Sequence, residues 1–158
     1  MHQVERHGTT KTTVEELVSF EVATRDLVGV ALRSVDEVGV SLPQARLLLV
    51  LAQLGRSTST ECANALGVVG SSVTRLADRL HATGHLVRGA DPGNRSVVTL
   101  ELTTKGRKLV RQVTTRRRRE LSRVLDQIDP AERAVCATVL RILHERFSED
   151  DRHSAMPL

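Results

Sequence analysis

The chain has 158 residues, of which 40% are apolar, with a formal net charge of +4 and a sequence pI of about 9.8. That length suits one compact domain with extensions, and the positive balance favours an anionic partner. The longest apolar run, 47–52, is too short to cross a bilayer. Residues 1–11 are polar and lack the apolar centre of a leader, which together with the short runs predicts a cytoplasmic protein with no membrane partner.

Only Phe20 and Phe147 are aromatic, so the core must be built from Leu, Val, Ile and Ala. The lysines are Lys11, Lys105 and Lys108; every other basic side chain apart from histidine is arginine, whose planar fork matches phosphates and guanine edges. Cys62 and Cys136 are too few for a disulfide framework in a chain of this length.

In chain order, residues 1–11 read as a disordered tip. A helix follows, opened by a capping box of Thr12 with Glu15 or Thr13 with Glu16. Leu17, Phe20, Thr24, Leu27, Val28, Ala31 and Val35 recur along it at helical spacing, and Gly39 closes it. Ser41-Leu42-Pro43 opens a second helix, apolar on most sides, that runs to Gly55. A short third helix spans Thr58–Leu66 and stops at Gly67. A fourth runs from near Gly70 to Gly84, with Val73, Leu76, Ala77 and Leu80 on its inner face.

The period then shortens to two. Leu86-Val87-Arg88 and Val97–Leu102 read as strands, with Val98, Leu100 and Leu102 inward and Thr99 and Glu101 outward. Asp91-Pro92-Gly93-Asn94 between them predicts a type II turn, which makes a hairpin. Thr103 or Thr104 caps a long fifth helix reaching Ile128. Asp129-Pro130-Ala131-Glu132 starts a last one carrying Val135, Val139, Ile142, Leu143 and Phe147. Residues 149–158 read as frayed.

The informative stretch is Glu61–Val73. A small Ala63 lets a second helix approach, Gly67 permits the turn, and Val73 and Leu76 lock that helix onto the first, with Cys62, Leu66 and Val68 filling apolar slots. A hairpin directly after such a pair makes a winged helix. The face of the fourth helix opposite the core carries Ser71, Ser72, Thr74, Arg75, Asp78 and Arg79. Small hydroxyl residues at a helix start allow close approach to DNA, and an arginine one turn later reaches base edges. An ordinary solvated face, with Arg75 and Asp78 paired at i, i+3, is the competing reading.

Other features point elsewhere. Arg116-Arg117-Arg118-Arg119 covers a full helical turn and reads as a solvated surface. His81 and His85 have metal spacing, but Gly84 breaks the helix between them and no third ligand is near, so no metal is expected. Both cysteines read as small buried hydrophobes. No phosphate loop, HExxH or nucleophile–base pair is present, so neither an enzyme nor a cofactor is expected.

The segment from Ser41 to Gly106 resembles the MarR (multiple antibiotic resistance regulator) family. The likeness is carried by Ser41-Leu42-Pro43-Gln44, Ala63-Asn64-Ala65-Leu66-Gly67, Ser71-Ser72-Val73-Thr74-Arg75-Leu76, Asp78-Arg79-Leu80, Gly84, Asp91-Pro92 and Leu102-Thr103, with a helix bounded by Gly106 after them. The resemblance implies a mainly α chain with a β-hairpin wing, dividing into an N-terminal dimerisation helix (12–38), a winged helix-turn-helix domain (41–103) and C-terminal dimerisation helices (104–148).

It also implies a homodimer on double-stranded DNA, with recognition helices in successive major grooves and wings at the flanking minor grooves. On that pattern the DNA-binding residues are Ser71, Ser72, Thr74, Arg75, Arg79, Asn94 and Arg95. The implied function is repression of transcription at a pseudo-palindromic operator, relieved by a small-molecule effector. A DNA-architectural protein without a ligand and a redox- or metal-sensing regulator are the alternatives. Three positions depart from the family pattern: Asn94-Arg95-Ser96 stands where Asp-x-Arg is usual, Val69 where a serine caps the recognition helix, and His85 where leucine is usual.

Overall fold

The computed structural model describes residues 11–154. The tip expected at 1–11 therefore lies outside the described residues except for Lys11, which has no regular structure. Six helices and three short strands follow in the order α1 (Val14–Val35), α2 (Leu42–Leu54), β1 (Ser57–Thr58), α3 (Ser59–Leu66), α4 (Gly70–Ala82), β2 (Leu86–Ala90), β3 (Val98–Leu102), α5 (Thr104–Leu125) and α6 (Pro130–Ser154). This is the expected mainly α winged helix-turn-helix.

Local capping chemistry sets most helix starts. Thr13 with Glu16, Ser41 with Gln44 and Thr58 with Glu61 form reciprocal capping boxes, each satisfying two otherwise orphaned backbone donors. Thr103 accepts from the Gly106 amide at the head of α5, and Asp129 Oδ1 accepts from Ala131 and Glu132 at the head of α6. Val69 precedes α4 with no side-chain cap, as the missing serine implies.

The core is a single cluster under the winged domain. Ala45, Leu47, Leu48 and Leu51 of α2 meet Cys62, Ala63 and Leu66 of α3, Val73, Ala77 and Leu80 of α4, and Leu86, Leu100 and Leu102 of the sheet. Leu109 and Val113 of α5 and Val35 of α1 close it from the other side. By contrast, Leu17, Phe20, Leu27 and Val28 of α1 and Val135, Val139, Ile142 and Phe147 of α6 are exposed on the isolated chain.

Several expectations need correction. The hairpin has a third strand: β1 pairs with β3, giving the antiparallel order β1-β3-β2. β1 brings Thr58 opposite Thr99, and Thr99 is buried there with its hydroxyl accepting from Arg56 Nε at 3.2 Å. Val98, expected inward, is exposed at the open end of the strand. The wing turn is not type II, because Gly93 does not adopt positive φ. Instead the Asp91 carboxylate accepts from the amides of Gly93 (2.8 Å) and Asn94 (3.1 Å), and this Asx turn reverses the chain without a left-handed residue.

Helix α1 ends at Val35, before Gly39, and Glu37 takes the left-handed conformation (φ 65°). Arg116 holds that end by donating to the Asp36 carbonyl and pairing with the Glu37 carboxylate, while Arg117 donates to the Ser34 hydroxyl. Half of the arginine run is thus a tertiary clamp, and Arg118 and Arg119 alone are solvated. Gly106 lies in the first turn of α5 and bounds no helix.

Helix α6 continues to Ser154, past the fraying expected from 149; residues 155–158 are outside the described residues. Cys62 is buried but Cys136 is exposed, because α6 leaves the core behind. Val68 is also exposed, beyond the αL turn at Gly67 (φ 65°).

Candidate nucleic-acid interface

Helix α4 buries Val73, Ala77 and Leu80 completely and half-buries Leu76. That fixes which side faces solvent. Ser71, Thr74, Arg75, Asp78 and Arg79 are exposed and Ser72 is half-buried. Five of the expected DNA-binding residues therefore share one element, Ser72 at the edge of its outer surface. The helix is held at a defined angle by the turn before it: Gly67 and Val68 amides donate back to Asn64 and Ala63, and Arg46 of α2 donates to the Leu66 carbonyl at 3.1 Å.

Asn94 and Arg95 stand apart from this set, in the loop joining β2 to β3. The Asn94 side chain accepts from the Ser96 amide at 3.1 Å, so it serves the loop itself. Arg95 is exposed at the tip and makes no hydrogen bond or ion pair among the described residues. The wing base is tied down by Arg56, which donates to Thr99 and, at 2.7 Å, to the Ala90 carbonyl.

The pairing of Arg75 with Asp78 does not occur. Asp78 Oδ1 lies 2.7 Å from Nη2 of Arg88 on β2, and the same Nη2 donates to the Thr74 carbonyl at 3.3 Å. The Arg75 side chain makes no hydrogen bond or ion pair among the described residues. Arg88 is absent from the expected set, although the sequence carries a signal for it. By strand alternation it shares a face with buried Leu86, although Arg88 itself stays exposed.

The remaining titratable groups have structural explanations. Burial pushes the Cys62 thiol up, away from the reactive thiolate. Burial, assisted by nearby Lys105, lowers the pKa of His85, whose Nδ1 sits 2.8 Å from the Thr83 hydroxyl. His81 Nδ1 instead faces the Leu86 carbonyl at 3.2 Å. Among the described residues no three His, Cys, Asp or Glu side chains gather as a metal site, and no helix is long and apolar enough to cross a membrane.

Residues 38–95 match the MarR family model. RV1404 from Mycobacterium tuberculosis has a similar solved structure, with 32% identity and a TM-score of 0.74, covering 87% of this chain and 97% of that one. A MarR family protein from Bacillus stearothermophilus is 25% identical with a TM-score of 0.76, covering 87% and 99%. YfiV of Bacillus subtilis, an HTH-type transcriptional regulator, is 29% identical over 104 residues; the match spans 66% of this chain and 65% of YfiV, just under two thirds of its length. With its winged helix and these likenesses, the chain belongs to the MarR family of DNA-binding transcriptional regulators, which are not enzymes.

Proposed function

We propose that this regulator is a cytoplasmic repressor that binds a pseudo-palindromic operator as a homodimer and is released by a small-molecule effector. The observation that carries the reading is Arg75: an exposed guanidinium one turn into α4, unneutralised, on a face of small hydroxyl side chains. Such a group can donate bidentately to a guanine edge in the major groove. Ser71, Ser72 and Thr74 permit the close approach, Arg79 extends the positive face, and Asn94 and Arg95 on the wing reach the flanking backbone or minor groove.

Dimerisation is supported by the apolar surface on the terminal helices. Leu17, Phe20, Leu27, Val135 and Phe147 are each at least 46% exposed on the isolated chain, and large apolar side chains left in water in such number favour burial against a partner. Segments 12–38 and 104–148 are assigned to that interface and 41–103 to DNA. Repression and effector release follow from the family resemblance. Buried Cys62, with its raised thiol pKa, makes an oxidant acting at that residue a poorer trigger.

The test is to recover the genomic fragments that the protein retains, define the shared site, and compare wild type with Arg75→Ala. Removing one base-reading side chain should cost about 1–3 kcal/mol and relax preference at one position in each half-site. Equal binding to operator and unrelated DNA by the wild type would replace this reading with an architectural one.

A further inference from the structure

The ion pair between Arg88 and Asp78 decides what Arg75 is free to do. Arg75 and Asp78 are three residues apart on one exposed helix face, a spacing at which opposite charges meet. No other arginine or lysine lies three or four residues from Asp78 on α4. Yet Asp78 is turned to the wing, where Arg88 holds it at 2.7 Å and anchors itself on the Thr74 carbonyl.

We propose that Arg88 is a positioning residue for operator reading: by engaging Asp78 it keeps the Arg75 guanidinium available to DNA. This rests on α4 being the recognition helix. The role is a matter of which partner Asp78 takes, not of fold stability, because an exposed pair of this kind adds little to stability. The Asp78 side chain is 56% exposed and the Arg88 side chain 32%. Removing Arg88 releases Asp78 to capture Arg75, and removing Asp78 as well abolishes the capture.

The experiment measures affinity for the recovered operator and for single-base variants, with thermal unfolding in parallel, for Arg88→Gln, Asp78→Asn, the double variant, Arg75→Ala and Arg75→Ala with Arg88→Gln. Arg88→Gln is expected to weaken operator binding about tenfold, the order expected when one base-reading interaction is removed, with the unfolding temperature little changed. Adding Asp78→Asn should restore most of that affinity, and in the Arg75→Ala background Arg88→Gln should have no further effect.

If Asp78→Asn gives no rescue and the salt dependence of Arg88→Gln flattens by about one unit, Arg88 itself binds a phosphate and the proposal is overturned. A silent Arg88→Gln beside a severe Arg75→Ala overturns it too. A silent Arg75→Ala removes the recognition-helix reading on which it rests.

Discussion

The backbone carbonyl of His85 fills the space into which a side chain on Gly106 would project. The same carbonyl accepts from the Thr103 amide at 3.1 Å, so the α4–β2 corner and the head of α5 meet at one point. Because the obstruction is backbone, it cannot swing aside. Gly106→Ala should therefore destabilise the fold by about 1–3 kcal/mol through overpacking. A lower urea midpoint checks this; a midpoint equal to wild type refutes it.

His85 occupies a buried position with its pKa lowered, first by burial and then by Lys105. The folded state thus binds its proton less readily than the unfolded chain does. Above the ordinary histidine value of about 6.5 the ring is neutral in both states and stability is unaffected. As pH falls below that value the unfolded chain takes the proton first, so stability declines. Denaturant midpoints at pH 7.5 and 5.5 should show this drop in the wild type, and His85→Leu should reduce it.

Arg95 projects from a loop closed beneath it by Asp91, which accepts from two amides. The wing tip is thus preorganised while its arginine stays free. Arg95→Ala should weaken operator and non-operator DNA by similar factors and flatten the salt dependence by about one unit for each phosphate no longer neutralised. Intact affinity and slope would show that this wing, with Asn94-Arg95-Ser96 in place of Asp-x-Arg, does not touch DNA through its arginine.

The exposed faces of α1 and α6 predict a dimer at micromolar concentration in sedimentation. A chain ending at Ile128 lacks Val135, Val139, Ile142 and Phe147, and should sediment as a monomer or aggregate. A dimeric, fully folded truncation would place the interface elsewhere.

Features legible in the sequence are those decided by neighbours along the chain. Thr13 and Asp129 can be read as caps, and Ser41 as a helix start, because their partners lie two or three residues away. The inner face of α4 is legible for the same reason, its period being a property of one helix. The features that escape such a reading need a partner distant in sequence. Thr99 turns inward because Arg56 and β1 meet it, and neither is visible from strand alternation. Arg116 and Arg117 look like a solvated run until α1 is placed alongside them. At the candidate site the exposed face of α4 is foreseeable, but the choice of Asp78 between Arg75 and Arg88 is not. Local spacing favours the first and the hairpin delivers the second.

Helix α5 joins the two ends of the molecule as one uninterrupted rod. Its first turn is fastened to the winged domain, where Thr103 donates to the Gly84 carbonyl and Lys105 to the Thr83 carbonyl. Its far half is fastened to α1 through Arg116, Arg117 and the Arg33–Glu120 pair. Twenty-two residues make a rod of about 33 Å. A tilt of about 5° at one end then carries the other through about 3 Å, on the scale of a hydrogen bond. The helix is a lever arm: angular adjustments too small to disturb packing at the α1 end are enough to displace α4 and the wing by the width of a contact.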